Sequence, residues 1–183
     1  MTDTLSSHTG DFGQPGRQSW FSVLDQGKAY NQGFINADSQ SLTAFITPWG
    51  LYECVPIPFG LSNAPVAFQR CMENCLGNLR DEICVPYLDD IIVFSATFDD
   101  HLDHLRKVLR HFREHGVKLK PGKYKLFERE VLFLGRVNAK GGYRLDPSSL
   151  QPVLHPKESA PKTVNDVTKV MGFLNHYRRN IRD

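Results

Sequence analysis
Apolar residues fall into short runs and helical stripes separated by Pro, Gly and Asp. Trp20-Phe21-Ser22-Val23-Leu24 reads as a buried strand that ends at Asp25, and Gly27 permits a turn behind it. Leu42 to Ile46 and Tyr52 to Ile57 flank Thr47-Pro48-Trp49-Gly50. This predicts two strands joined by a Pro/Gly turn, with Pro56 and Pro58 marking an edge or a break. Phe59 to Pro65 is a loop that feeds a helix. Ser62 or Asn63 can cap it, Pro65 is tolerated in its first turn, and Phe68, Met72, Cys75, Leu76 and Leu79 follow at helical spacing. Ile83 to Leu88 and Ile91 to Phe94 are apolar runs separated only by Asp89-Asp90, a hairpin whose tip carries two carboxylates.

Thr97-x-x-Asp100 has the form of a capping box, with Asp in place of Glu. Leu102, Leu105, Val108, Leu109 and Phe112 make an amphipathic stripe behind it, and Gly116 ends the helix. A basic stretch follows, with Lys118, Lys120, Lys123 and Lys125. Val131 to Val137 predicts another strand and Gly141-Gly142 a turn. Residues 1–18, rich in Ser, Thr, Gly and Asp, read as a flexible tail. Residues 146–183 combine a Pro-rich linker with a last helix, begun by Thr163-x-x-Asp166 and carrying Val167, Val170, Met171 and Leu174 on one face. No internal repeat is visible.

Composition narrows the class. The 183 residues are 40% hydrophobic and 23% charged, enough for one domain or two small ones with a real core. No apolar run approaches the roughly 18 residues of a membrane span. Met1 to Gln18 lacks the apolar segment of a secretory signal. Cys54, Cys71, Cys75 and Cys84 show no CxxC pairing, so they read as packed thiols of a reduced, intracellular protein. The net charge of +2 hides a split. Residues 1–103 hold 4 Lys+Arg against 13 Asp+Glu, and residues 104–183 hold 18 against 7. Carboxylates on one side could hold divalent cations while the basic half binds a polyanion. Two solvated faces of opposite sign are the plainer alternative.

Adjacent acids between two apolar strands are the sharpest local feature. Asp89 and Asp90 repel unless a positive charge lies beside them, and a divalent cation supplies one. Consecutive strand residues point to opposite faces, a constraint that a tight turn relaxes. Asp25 ends another apolar strand and suggests a third carboxylate at the same edge. Three such acids can hold two Mg²⁺ ions about 3.5–4 Å apart, the geometry of nucleotidyl transfer. A solvated turn remains the alternative, since Asp favours turns. His101-x-x-His104 and His111-x-x-x-His115 also have spacings that could bind metal on a helix.

Phe21 to Tyr30, which includes Leu24-Asp25-Gln26-Gly27, resembles the first catalytic motif of reverse transcriptases. Leu42 to Glu53 is similar to the segment that follows it. Pro58-Phe59-Gly60-Leu61-Ser62-Asn63-Ala64-Pro65 with Phe68-Gln69-Arg70 resembles their second motif, and Tyr87-Leu88-Asp89-Asp90 their metal-binding signature. Phe133-Leu134-Gly135 is similar to the primer-grip turn, and Met171 to Arg179 to the helix beyond it. The resemblance is to the polymerase of gypsy-class long-terminal-repeat retrotransposons, and it runs from about residue 20 to 182.

The resemblance implies an α+β fold: a right-hand polymerase palm, an antiparallel sheet backed by helices. The palm with part of the fingers would span 19–137, with the fingers hairpin near 41–57. A linker and the start of the thumb would occupy 138–183. It implies Asp25, Asp89 and Asp90 as ligands of two Mg²⁺ ions, with Mn²⁺ possible and Asp90 the weaker ligand. Tyr30 would exclude a 2′-hydroxyl, and Phe59 and Gly60 would wall the nucleotide pocket. Lys118 is a candidate proton donor to pyrophosphate. Gln69, Tyr87, Phe133, Leu134 and Gly135 fall at template–primer positions. Asn31 stands where these elements often carry His. The helix with the four histidines would serve packing and surface. The implied partners are an RNA or DNA template with primer, a deoxynucleoside triphosphate and, in a full polyprotein, ribonuclease H, protease and integrase parts, with no membrane.

Only about 19 residues precede the first motif, and Arg17 is their one Lys or Arg. A complete polymerase of this class carries a long fingers segment there, with basic side chains for the triphosphate. The expectation is therefore a palm-centred fragment with weak or no activity alone. The alternative is a non-catalytic, retrotransposon-derived module that binds nucleic acid or protein. An acid-rich metal phosphohydrolase would explain the carboxylates but not the second motif.

Overall fold
The computed structural model describes residues 18–146, 148 and 163–177. The expected tail, apart from Gln18, and most of the Pro-rich linker lie outside the described residues. The chain divides into two compact units, one running to Val131 and taking in Ala139–Gly142, the other holding Leu132–Asn138 and the residues from Tyr143 onward.

In the first unit the elements run β1 (Trp20–Asp25), α1 (Ala37–Gln40), β2 (Phe45–Thr47), β3 (Gly50–Tyr52), α2 (Ala64–Leu76), β4 (Cys84–Tyr87), β5 (Asp90–Ser95), α3 (Phe98–Glu114) and β6 (Lys125–Glu128). Four of the strands form one antiparallel sheet in the order β4-β5-β1-β6. β1 is central because its apolar run is buried on both faces. Leu24 and Ser22 alternate with Val23 and Phe21, and all four are buried. Leu24, Ile91 and Val93 join Cys75 and Leu76 of α2 and Leu105, Val108 and Phe112 of α3 in one core cluster. Burying each such aliphatic or aromatic side chain is worth about 1.5–3 kcal/mol. The two helices thus back one face of the sheet. Asp25 and Asp90 have the opposite parity.

Helix starts follow the local chemistry in part. Thr97 Oγ1 accepts from the Asp100 N–H at 3.1 Å, and donates to the Asp100 carboxylate at 2.6 Å. Asn63 occupies the cap of α2 without a side-chain hydrogen bond, so Pro65 alone marks that start. α2 ends at Leu76, and Leu79 sits in a 3₁₀ turn over Gly77–Leu79 rather than on the helix. The hairpin expected near 41–57 is shorter than its sequence suggests. Only Phe45–Thr47 pairs with Gly50–Tyr52, while Leu42 and Thr43 lie in a 3₁₀ turn and Pro56 makes an isolated bridge with Phe34. Proline donates no ladder hydrogen bond, and this limits the second strand.

The histidine helix carries a core group. His101 is fully buried between the hydroxyls of Ser22, 2.7 Å from Nε2, and Ser95, 2.9 Å from Nδ1. His104 also reaches Ser95, at 2.7 Å. These two histidines serve packing. His111 and His115 bond back to carbonyls of their own helix. Cys75 and Cys84 are buried free thiols, whereas Cys71 is exposed, which corrects the expectation that the helical neighbours Cys71 and Cys75 are both packed.

The chain continues through a three-stranded sheet, β7 (Glu130–Phe133), β8 (Arg136–Ala139) and β9 (Gly142–Leu145), of which Leu132–Phe133, Arg136–Asn138 and Tyr143–Leu145 belong to the second unit, and the helix α4 (Val164–Tyr177) of that unit. The single strand expected over Val131 to Val137 is two strands. Leu134 (φ 52°) and Gly135 (φ 70°) turn the chain between them. Gly141-Gly142 makes the next turn, as expected. The capping box of α4 is reciprocal: Thr163 Oγ1 accepts from the Asp166 N–H at 3.2 Å, and the Asp166 carboxylate accepts from the Thr163 N–H at 3.1 Å.

Candidate active site
The site is built at one end of the four-stranded sheet. β1 ends on Asp25, and β5 begins on Asp90. The antiparallel register sets these two directly opposite each other. Tyr87 is the partner of Asp90 on the other side, so the hairpin turns through Leu88 and Asp89 alone. Asp90 therefore belongs to the strand and Asp89 to the turn. The carbonyl of Asp89 accepts the Gln26 N–H at 2.8 Å, which ties the turn to the residue after Asp25.

Leu88 holds a left-handed backbone (φ 52°), which costs a non-glycine residue roughly 1–2 kcal/mol. Gln69 stabilises it from α2. Its side-chain oxygen accepts the Leu88 N–H at 2.9 Å, and its amide nitrogen donates to the Pro86 carbonyl at 3.0 Å. Gln69 is buried beneath the hairpin.

Three carboxylates at one sheet end leave negative charge unbalanced. Burial and repulsion from Asp89 and Asp25 push the Asp90 carboxyl up from its ordinary value, and Lys123 and Lys125 oppose the rise. Lys123 reaches Asp25 directly: its ammonium lies 2.9 Å from Asp25 Oδ2. Among the described residues, no three His, Cys, Asp or Glu side chains are already gathered as a metal cage.

The basic segment that carries Lys123 is strapped to the loop behind β1. The side chain of Gln32 accepts the Lys118 N–H at 2.7 Å and donates to the Lys118 carbonyl at 2.8 Å. The Lys120 N–H donates to the Asp25 carbonyl at 2.8 Å, and a 3₁₀ turn over Pro121–Lys123 follows. A Cβ on Gly27 would lie 3.1 Å from that of Lys120, so the close approach favours glycine. Lys118 thus enters through its backbone, and Lys123 is the side chain that meets the acids. Gln32 carries no local signal in the sequence, and Lys123 reads there only as one lysine of a basic run. Their partners lie 86 and 98 positions away, and no local pattern reports such a contact.

The remaining expected residues divide. Tyr30 stacks edge-on against Phe59 and Phe68, each at 5.7 Å, and its hydroxyl is pushed up by burial and by Asp89 and Tyr87. Phe59 is 68% exposed, and Gly60 (φ 96°) has a backbone that only glycine adopts readily. Phe133, Leu134 and Gly135 belong to the second unit, where Phe133 is buried and the other two form the β7–β8 turn.

An antiparallel sheet backed by two helices, with acids from β1 and from the β4–β5 turn at one end, is the palm of a right-hand polymerase. Residues 3–137 match the family model described as reverse transcriptase (RNA-dependent DNA polymerase), and the chain belongs to that family. It is 33% identical over 169 residues to the retrovirus-related Pol polyprotein from transposon 297 of Drosophila melanogaster, covering 92% of this chain and 16% of that protein. The corresponding polyprotein from Drosophila transposon gypsy is 31% identical, with 92% and 16% covered. The enzymatic polyprotein of cauliflower mosaic virus (strain NY8153) is 35% identical over 154 residues, covering 84% of this chain and 22% of that one. The chain thus spans about a sixth to a fifth of the length of these relatives. Among solved structures, a foamy viral protease-reverse transcriptase in complex with double-stranded DNA superposes with a TM-score of 0.78 at 27% identity, covering 88% of this chain and 28% of that one. Its counterpart in complex with an RNA/DNA hybrid gives 0.74 at 27% identity, covering 88% and 22%.

Proposed function
We propose that the chain is the palm of an RNA-directed DNA polymerase, which joins a deoxynucleotide to a primer 3′-hydroxyl on an RNA or DNA template. The observation that carries this reading is the Asp25–Asp90 register pair with Asp89 in the adjoining turn. The residues suit a hard divalent cation. The donors are all carboxylate oxygens, and the Asp90 carboxyl is raised by burial and then by the charges of Asp89 and Asp25. Asp25, Asp89 and Asp90 would hold Mg²⁺ or Mn²⁺. When bound, the ions supply Lewis-acid activation of the hydroxyl and neutralise the leaving pyrophosphate.

The chain's own residues do the rest. Gln69 fixes the turn that presents Asp89. Tyr30, which packs edge-on against Phe59 and feels the charge of Asp89, would screen the sugar for a 2′-hydroxyl. The basic segment 118–125 offers positive charge toward phosphates, and the β7–β8 turn with Phe133, Leu134 and Gly135 is assigned to the primer strand.

Primer extension on a primed RNA template with Mg²⁺ and four deoxynucleotides tests the reading, with Asp89→Asn beside it. Extension lost in the variant supports polymerase chemistry. A folded chain that grips primer–template equally well with EDTA and with Asp89→Asn, and never extends it, is a binding module instead.

A further inference from the structure
The ammonium of Lys123 sits where positive charge is wanted. It lies 2.9 Å from Asp25 Oδ2, while Asp89 and Asp90 act on the same lysine through space. The Asp25 side chain is 13% exposed and that of Lys123 57%, so the acid is held inside and the cation approaches it from solvent. The approach is built. Gln32 straps the Lys118 backbone, the Lys120 N–H bonds the Asp25 carbonyl, and Gly27 lets the segment close onto the end of β1. A solvated lysine with a free tether would pair with acids loosely and contribute little. Here two backbone anchors hold its turn in place before the ammonium makes its bond, so less freedom is lost on pairing.

We propose that Lys123 is a resident counter-cation of the palm, which occupies Asp25 in the metal-free protein and must leave that carboxylate before a divalent ion engages it. The inference rests on the metal reading of Asp25, Asp89 and Asp90. One observation supports it: among the described residues, Asp25 is the one of the three acids with an ion-pair partner. Metal affinity would then be set partly by a competition inside the protein, and the lysine would be released as the metal arrives.

The test is a Mn²⁺ titration of the full chain followed by electron paramagnetic resonance, which needs no turnover. Lys123→Met and Lys123→Gln are compared with Lys123→Arg and with Lys125→Met, the latter removing a nearby cation that bonds none of the acids in the structure. Circular dichroism confirms that each is folded. Both neutral Lys123 variants are expected to bind Mn²⁺ roughly fivefold tighter, the equivalent of about 1 kcal/mol. Lys123→Arg, which keeps the charge, should stay within about twofold of the parent, and Lys125→Met, which removes a cation that acts on Asp90 only through space, should tighten binding less than the neutral Lys123 variants do. In EDTA the neutral variants should melt below the parent, and saturating Mn²⁺ should erase that difference. Unchanged or weaker binding in the neutral variants overturns the proposal, and so does equal tightening in Lys125→Met, which would reduce Lys123 to a general field. If Mn²⁺ binding is absent from the parent, or is insensitive to Asp89→Asn, the metal reading itself fails and takes this proposal with it.

Discussion

Gln69 holds Leu88 in a left-handed turn, accepting its N–H at 2.9 Å from a buried position on α2. The same amide donates to the Pro86 carbonyl, so one side chain braces both ends of the bend that carries Asp89. Gln69→Leu strands both backbone groups. A loss of about 1–3 kcal/mol is expected from such unpaired buried groups, read as a lower urea midpoint with an unchanged slope. Primer extension, where measurable, should fall further than stability alone explains, because the turn that presents Asp89 is no longer braced.

Burial of His101 makes the fold acid-sensitive. Desolvation, then His104, holds its imidazole down at about 4, against an ordinary value of 6.5. The unfolded chain therefore binds the proton more readily. Stability from this group is complete above about pH 6.5 and drains away as pH falls toward about 4. The change is ~3 kcal/mol. Chemical denaturation at a series of pH values should show the loss, and His101→Gln should flatten it across that window. An equal slope in the variant would assign the acid sensitivity to other groups.

Asp90 is costly in the metal-free protein. Its carboxyl is raised by burial, then by Asp89 and Asp25. Asp90→Asn removes one of three mutually repelling charges. It is expected to raise the melting temperature in EDTA while lowering extension in Mg²⁺, a trade common where function strains a fold. A variant that melts lower in EDTA would show that the Asp90 carboxylate is well compensated.

Thiol chemistry should divide the cysteines into two classes. Burial pushes Cys84 up to about 12 and Cys75 up to about 11, whereas Cys71 is exposed. The thiolate is the reactive form, so these two should resist a disulfide reagent at neutral pH. Fast labelling of Cys71 is expected, slower labelling of the half-buried Cys54, and reaction of Cys75 and Cys84 only on unfolding. Rapid labelling of all four in the native protein would contradict the packing of the α2–β4 core.

The palm was legible because its strands are apolar runs with acids at their ends. β1 and β5 could be read almost to the residue, and the paired acids pointed to one sheet edge. The turns were harder. Leu88 and Leu134 both adopt left-handed φ angles of 52°, where sequence rules look for Gly or Asn. Leu134 hid the break between β7 and β8 for that reason, and the bend at Leu88 was placed one residue late. At Leu88 the conformation is imposed by Gln69, a contact 19 positions distant. His101 packs, in keeping with the packing role expected of its helix, and its polarity is satisfied by two serines of β1 and β5 that no local pattern points to. Lys123 could not be told from its lysine neighbours, because only the fold selects which one meets Asp25.

The order β4-β5-β1-β6 has a consequence for biosynthesis. The earliest strand to be made lies in the middle of the sheet, between partners made much later. Phe21 waits for Glu128, and Asp25 for Asp90. While the chain emerges from the ribosome, the run from Trp20 to Leu24 has no sheet to join. Both its edges are open until β5 is released, and the β6 edge stays open until residue 128 is, the condition in which chains aggregate or recruit chaperones. Long-range pairing of this kind also slows folding. Protein expressed with a stop before residue 128 should accumulate as insoluble material, and the site can exist only after most of the chain has been synthesised.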